Sequence, residues 1–410
     1  MTKLIGLIRE GKTPPDKRVP LTPHQCRTIM NEYPEVKIVV QKSPIRAFKD
    51  SEYADLGIEL RDDLTDCDVI MGVKEVNISD LIPNKHFFFF SHTIKKQPYN
   101  RDLLQAVIDR KIKLTDYEVL TNEKGLRLIG FGRYAGVVGC YNGFRTYGIK
   151  HGLYQLKPAH ECEDRKEMEG ELSKVKLPKN TKIVLTGFGR VGHGAREILA
   201  QLPLEEVTPD AFLSKTFDTP VFTHLNVDDY NEREDGQPFD RRGFYKDGRG
   251  HRSTFERYLK TADMYIACHF WKSGSPFIFT REDLKIKELK TSVVADISCD
   301  IDGPVACTIR PSTIADPMYG YDPLTEKEVP FDQAGAIAVM AVDNLPCELP
   351  KDASEDFGNE MIAHIIPALL GDDPTQIIER GSETNFEGKL TPYFEYLSDY
   401  LAGKDTLCQH

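Results

Sequence analysis

The 410-residue sequence predicts an α/β protein of two domains, each a parallel β-sheet flanked by helices. Three observations predict it. The chain is too long for one ordinary core. Short apolar runs alternate with helical stretches along the first third. Near the middle, the apolar run Ile183-Val184-Leu185 passes through three closely spaced glycines into a helical pattern.

Lys3–Ile8 is the first predicted strand. A Pro-rich loop (Gly11–Pro15) and Arg18 follow, and a helix opens at Thr22-Pro23, where Thr suits the cap and Pro the first helical position. Val36–Gln41, Asp66–Val73, Phe87–Ser91 and Lys113–Tyr117 predict four further strands, with helices between them such as Arg101–Arg110. Tyr134–Gly152 predicts a helix joining the two halves, and Lys157–Pro178 a charged surface excursion. Asn226–Arg252 has little apolar content and predicts a long loop insertion. Met264–Phe270, Ser292–Ile297 and Ala334–Val342 predict buried elements, and Met361–Leu370 and Pro392–Leu401 have helical periodicity.

The glycine turn reads Gly187-Phe188-Gly189-Arg190-Val191-Gly192, with Ala195, Ile198, Leu199 and Leu202 at helical spacing behind it. Strand, glycine turn and helix form the dinucleotide fingerprint. The first glycine makes the turn, the second lets backbone approach a pyrophosphate, and the third lets helix pack on strand. The pyrophosphate then lies at the positive helix end, and Arg190 suits either a phosphate or the adenine ring. An acidic residue is expected about 20 residues on, at the end of the second strand. Glu205, Glu206 and Asp210 fall there, and none ends a strong strand. The fingerprint therefore predicts NAD or NADP without choosing between them.

Carboxylates outnumber basic residues 64 to 53, for a formal charge of −11, and no long basic run is present. That balance argues against a nucleic-acid partner. The longest uncharged apolar stretch, Ala334–Val342, is far below the ~20 residues of a membrane span. MTKLIGLIREG lacks the long apolar region of a signal peptide, and the nine cysteines include no CxxC pair. These features predict reduced thiols, no metal site and a cytoplasmic protein, monomeric or homodimeric.

Arg18, Lys74, Glu75, His92 and Glu118 all fall just past a predicted strand or in the loop after one. Ligands of parallel sheets collect there, so these residues form one candidate group. Lys74 follows an apolar strand, and desolvation would lower its pKa towards that of a general base. His92 follows four phenylalanines and suits acid–base work near neutral pH. Arg18 and Arg127 are candidate carboxylate clamps. Glu118 suits a substrate ammonium. Asp343 interrupts an apolar run and, if buried, needs a cation such as Arg18 or Lys74. Each has a plainer alternative taken alone: a snorkelling lysine, a core histidine, a surface arginine, a loop carboxylate, a helix cap.

Together these residues resemble the saccharopine dehydrogenase group, and more loosely alanine dehydrogenase and the transhydrogenase N-terminal region. The motifs are Arg18-Val-Pro-Leu-Thr-Pro, Gly72-Val73-Lys74-Glu75, Phe90-Ser91-His92-Thr93-Ile94-Lys95 and Asp116-Tyr117-Glu118. Phe131-Gly132-Arg133-Tyr134-Ala135-Gly136, Asp296-Ile297-Ser298 and Val342-Asp343-Asn344-Leu345-Pro346 also fit. The resemblance implies two Rossmann-like domains with the active site in the cleft between them. The substrate domain would be 1–138 plus about 345–410, and the nucleotide domain 139–344. It implies an NAD(P)-dependent oxidoreductase of lysine metabolism that interconverts saccharopine with lysine and 2-oxoglutarate through an imine. Lys74 and His92 would be the acid–base pair, with Glu75 tuning Lys74. Arg18, Lys95, Glu118, Arg127 and Asp343 would meet the substrate. Gly187, Gly189, Arg190, Val191, Gly192 and Asp300 would lie on the cofactor side. Two other readings compete: an alanine-dehydrogenase-like enzyme, and a regulatory protein that binds nicotinamide cofactor without turnover.

Overall fold

The computed structural model describes residues 3–404. Contacts divide the chain into two compact units. One holds the residues up to Phe131 and those from Pro350 on, and the other is Gly132–Leu349.

The first unit is built on six strands: β1 (Lys3–Leu7), β2 (Val36–Gln41), β3 (Glu59–Arg61), β4 (Val69–Met71), β5 (His86–Phe89) and β6 (Lys113–Asp116). Their order is β3-β2-β1-β4-β5-β6, and every pairing is parallel. Helices cover both faces of such a sheet, so its strands read as apolar runs without alternation. All four residues of β5 are buried accordingly. The chain leaves β1 towards β2 and β3, then returns to β4 on the other side of β1. The carboxyl ends of β1 and β4 therefore flank a topological switch point, where such sheets open a ligand crevice. Thr22 caps the helix Pro23–Glu32 through a reciprocal bond pair with Gln25, as its sequence predicts.

The C-terminal part of this unit completes the same core. Phe357, Met361, Ile365 and Ile366 pack with Ile5, Ile38, Met71 and Phe88. Further on, Ser382 bridges antiparallel to Thr115, and Glu383 donates its backbone N–H to Leu114 O at 2.7 Å. The returning chain thus covers the open edge of β6 and carries the Glu383 side chain inward.

The second unit holds β7 (Lys182–Thr186), β8 (Glu205–Glu206), β9 (Val221–Leu225), β10 (Asn231–Arg233), β11 (His251–Ser253), β12 (Met264–Ala267), β13 (Val293–Asp296), β14 (Met318–Asp322), β15 (Lys327–Val329) and β16 (Ile337–Met340). Eight of them form one sheet in the order β15-β14-β16-β13-β12-β7-β9-β8. It is parallel except that β14 runs against both neighbours. The helix Gly132–Lys150 lies wholly in this unit. It meets the helix Arg190–Leu199 at glycines: a Cβ on Gly136 would fall 1.9 Å from Val191 O, and one on Gly194 would fall 1.9 Å from Arg133 O. The two backbones approach too closely for any side chain there.

Three sequence expectations change. Asn226–Arg252 is not an unstructured insertion but contains the β10–β11 pair and the helix Arg241–Lys246. Its few apolar residues, Val227, Tyr230 and Phe244, dock onto the core. Its charges pair with one another, as in Arg241–Asp228 and Arg252–Glu232. Lys157–Pro178 includes the helix Arg165–Glu171, capped by Asp164 and anchored by buried Met168. The strand expected near Leu204–Phe212 is only the two-residue edge β8, and the strand beside β7 is β9.

The eight described cysteines are free thiols, and Cys408 lies outside the described residues. Among the described residues, no helix is long and apolar enough to cross a membrane.

Candidate functional site

In the first unit, the loops after β1, β4, β5 and β6 bring charged groups together. β4 ends at Met71, and two residues later Val73 and Lys74 donate their backbone N–H groups to the Glu10 carboxyl at 2.7 and 2.9 Å. Glu10 belongs to the loop after β1, so this carboxyl ties the two ends at the switch point. Burial raises its pKa to about 7, against the two N–H bonds that oppose the shift. Lys74 Nζ forms no hydrogen bond or ion pair with any described residue of the first unit. Burial lowers its pKa and the nearby Arg18 charge adds to the effect, opposed by Glu75 and Asp16.

Glu75 joins two partners. Its Oε1 lies 2.6 Å from His92 Nδ1, and its Oε2 accepts from Lys12 Nζ at 2.6 Å. Burial pushes this carboxyl up, but the bonds from His92 and Lys12 outweigh it and hold the pKa at about 2. An ionised carboxylate on Nδ1 fixes the imidazole tautomer and leaves Nε2 for proton transfer. His92 stacks on Phe90 with ring centroids 6.4 Å apart, and its backbone is left-handed (φ 56°). The Glu75 carboxylate therefore serves His92 and Lys12 by direct contact, and acts on Lys74 through charge.

Glu118 follows the short 3₁₀ start after β6, where its N–H donates to Asp116 Oδ1 at 2.7 Å. Lys95 Nζ and Arg127 Nη1 lie 3.6 and 3.9 Å from its Oε1. Its Oε2 is buried and has no hydrogen-bond partner among the described residues. Arg127 also sits over the Phe90 ring at 5.4 Å. Arg18 is 3% exposed and forms a fork on Asp16, with contacts of 3.0 and 2.6 Å, while stacking on Phe131 at 4.2 Å.

The first unit thus gathers Arg18, Lys74, Glu75, His92, Lys95, Glu118 and Arg127 into one region. Asp343 lies in the second unit, exposed two residues past Ala341, and Asp16 is a carboxylate partner of Arg18 within the first unit. The apolar run ends before Asp343, so the residue needs no buried cation. Sequence reasoning missed Glu10 and Asp16. Both sit in the polar loop after β1, where no apolar run marks them.

In the second unit, the glycine turn lies between β7 and the helix Arg190–Leu199, as predicted. Gly187 has φ 93°, and a Cβ there would fall 2.1 Å from Cys268 O. A Cβ on Gly192 would fall 1.8 Å from Gly187 O, whereas Gly189 faces open space. That is the division of labour a pyrophosphate cradle needs. A cavity of about 490 Å³ opens there, lined among others by Arg190, Val191, Leu225, Tyr230 and His269. His269 Nε2 is buried without a hydrogen-bond partner among the described residues, and burial lowers the ring's pKa to about 4. An unsatisfied ring nitrogen beside an open glycine backbone fits a polar dinucleotide. His269 directly follows β12-Cys268, the same strand-end signal that singled out His92, and was not picked from sequence. The residue after β9 is Asn226, where a carboxylate was sought at 205–210. Of those candidates, Glu206 is paired with Arg196 at 2.7 Å. Asp300 is exposed in the loop after β13 and is not among the cavity-lining residues.

The chain is similar to several known proteins. Residues 6–138 match the family model described as alanine dehydrogenase/PNT, N-terminal domain. A mitochondrial alpha-aminoadipic semialdehyde synthase of Mus musculus is 29% identical, over 98% of this chain and 48% of that protein. The chain thus spans about half the length of that relative. A saccharopine dehydrogenase [NAD(+), L-lysine-forming] of Yarrowia lipolytica is 25% identical over 90% of this chain and 93% of its own. A solved L-alanine dehydrogenase shares the fold with a TM-score of 0.66 at 16% identity, covering 97% of this chain and 99% of that one. Across nearly its whole length the chain is similar to saccharopine dehydrogenases, it shares the fold of an alanine dehydrogenase, and residues 6–138 match the N-terminal domain model.

Proposed function

We propose that the protein is an NAD(P)-dependent oxidoreductase acting on a CH–NH donor, interconverting saccharopine with lysine and 2-oxoglutarate through an imine. One observation carries the reading. A desolvated lysine, a carboxylate-oriented histidine and a carboxylate with an unsatisfied buried oxygen share one set of strand ends. One of the similar proteins is a saccharopine dehydrogenase [NAD(+), L-lysine-forming], whose name carries that substrate, that cofactor and lysine. Saccharopine carries three carboxylates, an ammonium and a secondary amine, which suits several cations and one acid.

Glu118 Oε2 receives the substrate ammonium. Arg18 and Arg127, with Lys95, supply the positive charge that carboxylates require. His92 passes protons through Nε2 as water leaves or adds at the imine carbon, with Glu75 holding the ring. Lys74 gives a proton to nitrogen as the imine is reduced and takes it back in the reverse direction. Burial lowers its pKa, which makes the ammonium a readier proton donor and the amine easier to regenerate. The Gly187–Gly192 turn, Arg190 and His269 would hold the dinucleotide. When bound, that cofactor supplies or accepts the hydride.

The test is nicotinamide absorbance with lysine plus 2-oxoglutarate, and with pyruvate plus ammonia as the control. Turnover only with the first pair is expected. Lys74→Met and His92→Gln should each lower kcat by roughly 10²–10⁴-fold with cofactor affinity unchanged. Full turnover in either variant would remove the acid–base assignment. Turnover only with pyruvate and ammonia would move the protein to the alanine dehydrogenase reading. Cofactor binding without any turnover would support a sensor.

A further inference from the structure

Behind His92 and Glu118 lies a buried network with no part in the chemistry above. Ser91, Thr93, Asp116 and Glu383 are each 0% exposed. Four contacts through the two hydroxyls join them, and the Asp116 and Glu383 carboxyls also meet each other directly. Asp116 Oδ2 is 2.6 Å from Ser91 Oγ, and Ser91 Oγ is 2.6 Å from Thr93 Oγ1. Thr93 Oγ1 is 2.5 Å from Glu383 Oε2, and Ser91 Oγ is 2.9 Å from Glu383 Oε1.

Counting protons decides how this network is built. Each hydroxyl has one proton. If both carboxyls were ionised, half of the four contacts would press lone pair against lone pair in a dry interior, beside two unneutralised anions. Such burial is strongly unfavourable. One further proton, on Glu383 Oε2, removes one of the two anions and leaves only the longest contact, Ser91 Oγ–Glu383 Oε1, without a proton. Glu383 then donates to Thr93, Thr93 to Ser91, and Ser91 to Asp116, so the three shortest contacts are filled in one direction. Asp116 is the end that suits a charge, because Ser91 N–H and Glu118 N–H also donate to it at 3.1 and 2.7 Å. Burial and the facing Asp116 charge push the Glu383 carboxyl well above its usual range, in agreement.

We propose that Glu383, as a neutral acid, heads a hydrogen-bond relay through Thr93 and Ser91 to the Asp116 carboxylate, and that this relay positions His92 and Glu118. The relay residues flank both site residues: Ser91-His92-Thr93 on one loop and Asp116-Tyr117-Glu118 on the other. His92 is held left-handed (φ 56°), a conformation that is costly for a non-glycine residue and persists only where its surroundings fix it. Side chains anchored on both sides of His92 supply that fixing. Glu383 is a positioning residue, and calling what it positions catalytic rests on the function proposed above. The other ionisable groups facing it are Asp116, Tyr396 and Tyr400, with Glu118 facing Asp116.

The test compares Glu383→Gln, Glu383→Leu, Thr93→Val and Thr93→Ser, reading the His92 imidazole titration by NMR in cofactor-free protein, together with kcat and KM. A glutamine donates to Thr93 as the neutral acid does. Glu383→Gln should therefore keep the wild-type His92 titration and at least about half of kcat. Thr93→Val keeps the shape but breaks the relay. It should shift the His92 titration and lower kcat roughly 10- to 100-fold with KM little changed, and Thr93→Ser should restore both. Glu383→Leu should follow Thr93→Val, and where it does not fold, the threonine pair carries the comparison. Loss in Glu383→Gln as deep as in Thr93→Val would show that a charged carboxylate is required and overturn the relay. An unchanged His92 titration in Thr93→Val would also overturn it. If the wild type turns over no amino acid, the function proposed above fails, while the His92 titrations still decide this proposal.

Discussion

Burial and hydrogen bonding oppose each other on the Glu75 carboxyl, and hydrogen bonding prevails: its pKa falls to about 2. An acid whose folded pKa lies below its unfolded value stabilises the fold at pH values above the unfolded one. That contribution is lost as pH falls from about 4.5 towards about 2. Glu75→Gln should therefore cost roughly 1–3 kcal/mol at neutral pH, less than full linkage because the Lys12 partner is solvent-exposed. The gap to wild type should close over that acid range, which urea titrations at several pH values would measure. A gap that stays constant with pH would assign the loss to packing. At this scale the sequence showed much of the first-unit cluster, because Lys74, Glu75, His92 and Glu118 each follow an apolar strand. It did not show Glu10, Asp16 or Glu383. Glu10 and Asp16 sit in a polar loop, and Glu383 reaches Thr93 across 290 positions of chain.

Glycine spacing organises the elements of the second unit. Gly136 and Gly194 let two helices touch backbone to backbone, and that contact fixes the helix whose N-terminus faces the cavity. Gly194→Ala should therefore lower the melting temperature, by an overpacking cost of about 1–3 kcal/mol. Gly189 behaves differently. It has φ −82° and open space around it, so alanine fits the apo fold. Gly189→Ala should leave the melting temperature unchanged and weaken dinucleotide binding by roughly tenfold or more, because the methyl stands where the pyrophosphate must come close. Calorimetric titration with NADH and NADPH separates the two effects, and unchanged affinity would place the pyrophosphate elsewhere. The strand–turn–helix was legible because its signals are local. The second strand was not, because the usual 20-residue spacing is interrupted by the helix Pro209–Ser214 before β9 begins. Asn226–Arg252 was read as loop because its structure depends on a few docked apolar side chains among many charges, a pattern without periodicity.

For the whole molecule, parallel sheets in both units were legible from apolar runs separated by helices, and the solved alanine dehydrogenase shares that fold. The return of the chain from Pro350 to the first unit was expected only from resemblance, since no sequence period marks it. That return brings Glu383 to the edge of β6, so the C-terminal segment contributes to the candidate site as well as to the core. The chemistry of the Lys74, His92 and Glu118 group is decided by its product. Purified protein is supplied with lysine, 2-oxoglutarate and reduced nicotinamide cofactor, and the products are weighed by mass spectrometry. A new compound is expected with the mass of lysine plus 2-oxoglutarate, less one water and plus two hydrogens, which Lys74→Met fails to form. Cofactor oxidation without that compound, or its undiminished formation by Lys74→Met, would overturn the assignment.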